Sequence, residues 1–128
     1  MATYNQFEVV IVPFPFMETA GSKLRPALIL SDAQAFNVPM QKAVLAMITT
    51  SNRFPWSLDI SIDDLQGAGL RSPSIIRMKL FTLEDRSIVR QIGTLSKGDC
   101  NKVEMALTQL FGFKYARTEG NDPPMNLL

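Results

Sequence analysis

Taken together, eight of the cationic and hydroxyl side chains in this sequence form a set with the chemistry to hold a phosphate: Lys23, Arg25, Thr49, Thr50, Ser51, Arg53, Arg77 and Lys79. Arginine offers a planar fork of donors that matches phosphate, and lysine acts as a point charge. Hydroxyls at a strand end can donate to a non-bridging oxygen. An anion, most simply a phosphodiester, is the natural ligand. Such a set can also catalyse. Cleavage of RNA by its own 2′-hydroxyl passes through a pentacoordinate phosphorane carrying extra negative charge. Preorganised donors stabilise that charge more than the ground state. Each residue also has a plainer reading. Arg25 can be a surface arginine, and Thr49 a strand-end hydroxyl bonded to backbone. Arg77 and Lys79 can be the solvated face of a strand. Trp56 reads as core or rim packing before it reads as a stacking platform. Spacing alone does not make the cationic and hydroxyl strands neighbours.

What the sequence lacks narrows the chemistry. It has no histidine, which removes the usual general base, the usual zinc ligand and every Ser-His-Asp arrangement. Cys100 is the only cysteine, so no internal disulfide forms, and a thiol without histidine is a poor hydrolytic nucleophile. Asp59, Asp63 and Asp64 have no histidine or cysteine for company, so neither a metal nor another cofactor is expected. The formal net charge is only +1, yet Arg71 to Lys102 holds seven basic and three acidic residues. That surplus allows a basic face on a nearly neutral protein, or simply solvated charge. No signal peptide is visible. The longest apolar run, Val9 to Met17, holds two prolines and falls far short of the ~20 residues of a membrane span. A soluble, cytoplasmic protein is expected.

The elements that must position these side chains read as short strands. Phe7 to Val12 is β-branched and ends at Pro13 and Pro15. A loop from Pro15 to Ser22 carries Glu18 and Gly21. Leu24 to Ser31 is a second strand with Pro26 near its start. Asp32 to Asn37 reads as a helical turn stopped by Pro39, and Lys42 to Thr49 as a third strand. Trp56 to Ile62 alternates, with Trp56, Leu58, Ile60 and Ile62 inward and Ser57, Asp59 and Ser61 toward water. Gly67 and Gly69 mark a turn. Ser74 to Leu83 is extended, with Arg77 and Lys79 on one face and Ile76, Met78 and Leu80 on the other. Ser87 to Ile92 is the last strand, followed by Gly93. Ser96 with Asp99 marks a helix start, Val103, Leu107, Leu110 and Phe111 form its apolar stripe, and Gly112 ends it. With 46% hydrophobic and 20% charged residues, one packed domain is expected over residues 1–116, with a polar tail over 117–128. The architecture predicted is mainly β with a C-terminal helix, a small closed or nearly closed barrel.

Four stretches together resemble the PemK/MazF family of toxins. They are Val9 to Phe16 with Gly21-Ser22-Lys23-Leu24-Arg25-Pro26-Ala27-Leu28, then Ala46 to Ser51, then Ile76 to Leu83, then Gly93-Thr94-Leu95-Ser96 leading into the final helix. The resemblance spans roughly residues 7 to 112, and the Gly-Ser-Lys-Leu-Arg-Pro stretch is its most specific part.

The resemblance implies an SH3-like barrel that pairs into a homodimer. It implies a metal-independent, sequence-selective endoribonuclease that leaves a 2′,3′-cyclic phosphate and a 5′-hydroxyl. It also implies a cognate antitoxin that covers the RNA groove. Arg25 matches the family's catalytic arginine and Thr49 the threonine after the third strand. Lys23, Thr50, Ser51, Arg53, Arg77 and Lys79 then attract and position single-stranded RNA. Arg77 lies at an arginine that one branch uses beside an aspartate. Lys79 stands at that aspartate's position, so water or Glu18 is left to accept the 2′-hydroxyl proton. Phe7-Glu8 replaces the Gly-Asp or Gly-Glu that commonly opens the first strand. The alternative on the same barrel is a non-catalytic binder, as the related CcdB toxins poison DNA gyrase.

Overall fold

A computed structural model of the chain describes residues 3–13, 23–50 and 53–114. The expected loop with Glu18, Gly21 and Ser22, the hydroxyl of Ser51, and the tail over 117–128 lie outside the described residues. Six strands form one antiparallel sheet: β1 (Glu8–Pro13), β2 (Leu24–Ile29), β3 (Lys42–Thr49), β4 (Ile60–Ser61), β5 (Ile75–Glu84) and β6 (Arg90–Thr94). Their order is β4-β5-β3-β2-β1-β6, a half-barrel with β4 and β6 at its edges. Two four-residue-or-shorter helices, α1 (Val38–Met40) and α2 (Leu65–Ala68), sit in connections, and α3 (Lys97–Phe111) follows β6.

The period of two splits the apolar side chains between the two faces of the sheet. Val9, Leu28, Ile48, Ile76 and Met78 pack with Val103 and Ala106 of α3. Val10, Val12, Ala27, Ile29 and Leu45 pack on the opposite face with Ile88. Leu110 and Phe111, expected in the helical stripe, are exposed; Ala106 takes their place in the core. Ser96 caps α3 by accepting from Asp99 N–H at 3.2 Å, and Gly112 ends it at φ 75°, as the sequence predicts.

Several connections differ from the sequence-based expectation. Pro39 does not stop a helical turn; it sits in the first turn of α1, where a missing N–H costs nothing. The expected strand over Trp56 to Ile62 shrinks to Ile60–Ser61. Asp59 closes a turn instead: its N–H donates to Trp56 O, and its carboxylate accepts from Trp56 N–H. Asp85–Ser87 is a short 3-10 turn, and the last strand begins at Arg90. Gly93 lies inside β6 because a Cβ there would run into the backbone of Ala68. The end of α2 therefore rests directly on β6.

Asp99 ties α3 to the α2 turn. Its carboxylate is 1% exposed and accepts from the N–H groups of Asp63 and Asp64 at 3.0 and 3.1 Å. Lys102 adds an ion pair at 3.1 Å. Burial pushes the Asp99 carboxyl up, but the two amides and the ammonium outweigh it and hold it below its ordinary value. A depressed carboxyl stabilises the fold above the unfolded value of about 4 and loses that contribution as pH falls through the folded value. Asp99→Asn is expected to lower stability by about 2–4 kcal/mol near neutral pH. Its denaturation midpoint should approach the parent's only as pH falls from about 4 through the lowered folded value. A gap that stays constant with pH would contradict this linkage.

Phe7 occupies the left-handed region at φ 72°. Its N–H donates to Ile29 O and its carbonyl accepts from Leu95 N–H, which fixes the backbone there. The ring packs against the α3-side core. The position is one where glycine is free of Cβ strain and any other residue is not. Phe7→Gly loses packing but relieves strain, whereas Phe7→Ala loses packing and keeps it. Denaturant unfolding should find Phe7→Gly the more stable of the two by about 1 kcal/mol. The reverse order would show that the backbone relaxes.

Candidate functional site

The site begins where β2 and β3 part. Leu30 N–H donates to Val44 O, so the even-numbered residues of β2 direct their backbone groups toward β3. Pro26 falls in that series and has no N–H to give. Regular β2–β3 pairing accordingly covers only Ala27 to Ile29. Continuing that register by two residues brings Arg25 level with Thr49. Arg25, Pro26, Ile48, Thr49, Thr50 and Ser74 line a cleft of about 50 Å³ at this end of the sheet. Thr50 and Ser74 also line a second cleft of about 210 Å³ that continues past Ser61 and Leu65. The two form one groove across the strand ends.

Arg25 is exposed and projects on the same face as Ala27 and Ile29, away from α3. Thr49 shares that face with Leu45. The structure thus brings the predicted catalytic pair together. Lys23 is exposed just before β2, and Thr50 is exposed at the end of β3. Ser74, which sequence reasoning passed over, is buried with its hydroxyl donating to Ser72 O at 2.8 Å. Only the strand register could have pointed to it.

Arg77 does not lie on a water-facing surface. It is 8% exposed, and Asp59 grips it at two points, Nε to Oδ1 at 3.0 Å and Nη2 to Oδ2 at 2.8 Å. Two-point pairing of this kind fixes a guanidinium in orientation as well as position. Its guanidinium carbon also stands 5.2 Å from the ring centroid of Trp56. The hydrogen bonds from Arg77 hold the Asp59 carboxyl below its ordinary value, and Asp59 in turn raises Arg77. Asp59 is therefore neither water-facing nor a good base: its proton affinity is reduced and both oxygens are occupied. Lys79 shares Arg77's face, half-buried, where β5 has two residues unmatched between Ala46 and Met47 of β3. Trp56 is 45% exposed rather than core, and Arg53 stands 5.8 Å from the ring centroid of Phe54.

Among the described residues no group of three or more His, Cys, Asp or Glu side chains could hold a metal ion, and no helix is long and apolar enough to cross a membrane. A larger cleft of about 330 Å³ lies at the far end of the β3–β5 ladder, lined by Met40, Gln41, Lys42, Glu84, Asp85 and Arg86. Seven strand residues, roughly 23 Å, separate it from Thr49, so it takes no part in this groove.

A six-stranded half-barrel with a C-terminal helix is the MazF fold. Residues 5–111 match the family described as "PemK-like, MazF-like toxin of type II toxin-antitoxin system", and the chain belongs to that family. Solved structures similar to it include MazE-MazF from Deinococcus radiodurans, 21% identical with a TM-score of 0.70, covering 88% of this chain and 100% of that one. The Mycobacterium tuberculosis toxin MazF-mt6 is 23% identical at 0.66, covering 84% and 99%. A mycobacterial endoribonuclease in complex with its cognate antitoxin is 18% identical at 0.68, covering 88% and 98%. No curated protein sequence matches the chain.

The buried Asp59–Arg77 pair yields a direct test. Asp59→Ala leaves a desolvated guanidinium unpaired and should cost about 3 kcal/mol. Replacing both partners, as Asp59→Ala with Arg77→Met, should recover most of that loss. If the double variant is as unstable as the sum of the single ones, the two side chains are not energetically coupled.

Proposed function

We propose that this chain is a metal-independent, sequence-selective endoribonuclease, the toxin of a type II toxin–antitoxin pair. The observation that carries this is the meeting of Arg25 with Thr49 and Thr50 in one groove at the parted ends of β2 and β3. The groove offers a guanidinium and hydroxyls, the donor set for a phosphate rather than for a metal. An RNA 2′-hydroxyl attacks the adjacent phosphorus as it gives up its proton, the bond from phosphorus to the 5′-oxygen breaks, that oxygen takes a proton from solvent water, and the products are a 2′,3′-cyclic phosphate and a 5′-hydroxyl. Arg25 stabilises the charge that builds on the phosphorane, and Thr49 holds a non-bridging oxygen. Lys23, Arg53 and Lys79 draw the RNA backbone in, with an attraction that weakens as salt rises. Arg77 acts at one remove, by holding its neighbours. With Asp59 committed to Arg77, the proton of the 2′-hydroxyl passes to water or to Glu18.

Family membership brings two protein partners into this reading: a second copy of the chain, forming a homodimer, and a cognate antitoxin whose acidic segment suits the basic groove. Solved relatives are seen with their antitoxins. The Arg25–Thr49 pair favours cleavage over a purely binding role on the same barrel, such as CcdB's.

Purified protein incubated with RNA in excess chelator should cut it and leave the stated ends. Arg25→Ala should slow cleavage by about 10²–10³-fold, the usual effect of removing one preorganised donor. Parent-like cleavage by Arg25→Ala, or an absolute requirement for magnesium, would overturn the assignment.

A further inference from the structure

We propose that Trp56, backed by Arg77, is a stacking platform for a nucleobase of single-stranded RNA beside the Arg25 cleft. This rests on the ribonuclease reading above and adds to it a residue that holds a base. Trp56, the chain's only tryptophan, is 45% exposed. An indole left in water is unfavourable unless something holds it there. Asp59 fixes its surroundings at two points: its carboxylate accepts from the backbone N–H of Trp56 at 2.9 Å, which sets the turn that carries the side chain, and the same carboxylate fixes Arg77, whose guanidinium stands 5.2 Å from the centre of the ring. The ring thereby stands against a clamped cation while the residue stays 45% exposed.

Phe54 repeats the pattern two residues earlier. It is 81% exposed, with Arg53 at 5.8 Å from its ring centroid. Both aromatics lie on the connection that leaves Thr49 and Thr50. Single-strand binders combine cations that track the backbone with aromatic rings on which successive bases stack. Both components are present here on one side of the sheet. Met47, two residues before Thr49 on β3, pairs with Arg77. Two strand spacings and two residues therefore separate Arg25 from Arg77, roughly 12 Å. A phosphate at Arg25 leaves a nearby base within reach of the indole. Because bases differ in stacking strength, the platform contributes to the choice of nucleotide at that position.

The single tryptophan makes the test direct. The probe is a single-stranded RNA oligonucleotide with 2′-methoxy riboses, which lacks the nucleophile and stays intact. Its addition should quench Trp56 emission, saturating over the range in which the anisotropy of a labelled oligonucleotide reports binding. Trp56→Ala should weaken binding about 10- to 100-fold. Trp56→Phe should retain most of the affinity, which separates stacking from any loss of fold. An abasic nucleotide at the stacked position should reproduce the loss and make Trp56→Ala silent. If anisotropy shows binding while Trp56 emission does not change and Trp56→Ala binds as the parent does, the platform is wrong and the RNA reading survives. If unmodified RNA is neither bound nor cut by the parent protein, both fall. Quenching by an apolar peptide but not by RNA would overturn the proposal in favour of a protein contact.

Discussion

The groove opens where one N–H is missing. Every even-numbered residue of β2 has a backbone donor for β3 except Pro26, and the ladder ends there. With an ordinary residue at 26 the pairing could run on to the strand ends, and Arg25 would be held in a continuous sheet. Proline parts the strands while its ring restricts the residue before it to extended backbone. Arg25 is thus exposed yet aimed, and Thr49 and Thr50 face it across the gap. The sheet behind them is packed on both faces, so the donors stand on a rigid support. Rigid support is what lets donors favour a transition state over a flexible ground state.

A second constraint sorts the cations. Desolvating a charge is costly unless it is paired, and among the described residues the structure pairs the one arginine that is buried, Arg77. Arg77 donates two hydrogen bonds to Asp59, and Asp59 loses its usefulness as a base. Lys23, Arg25 and Arg53 remain at the surface, where their charge reaches a polyanion. The pair contributes to function through what it holds. It fixes the turn from Trp56 to Asp59 against β5, with Trp56 half-exposed beside the Arg77 guanidinium.

Much of this was legible in the residues. The helix cap at Ser96 and the stop at Gly112 follow from local chemistry, and both stand as expected. The alternation of β5 survives its irregularity because two residues, an even number, are unmatched there. The connection after β3 was not legible. Its alternation of apolar and polar residues looks like a strand, but the side chain of Asp59 folds back to Trp56 N–H and makes a turn. Periodicity cannot register a local side-chain-to-backbone bond of that kind. Nor could spacing show that Asp59 meets Arg77, eighteen residues away, because that contact depends on which strand lies at the sheet edge. Phe7 was legible as a departure from the family's glycine, and the structure adds what the sequence did not show, a positive φ at that position.

The central claim is that an RNA phosphate sits between Arg25 and Thr49. A crystal structure of the protein with an RNA oligonucleotide carrying 2′-deoxyribose at the cleaved position tests it most directly. The expected result is a phosphate within hydrogen-bond distance of the Arg25 guanidinium and the Thr49 hydroxyl, with the strand following the groove past Thr50 and Ser74. RNA bound instead at the Lys42 and Arg86 cleft, with the Arg25 groove left to solvent, would contradict it.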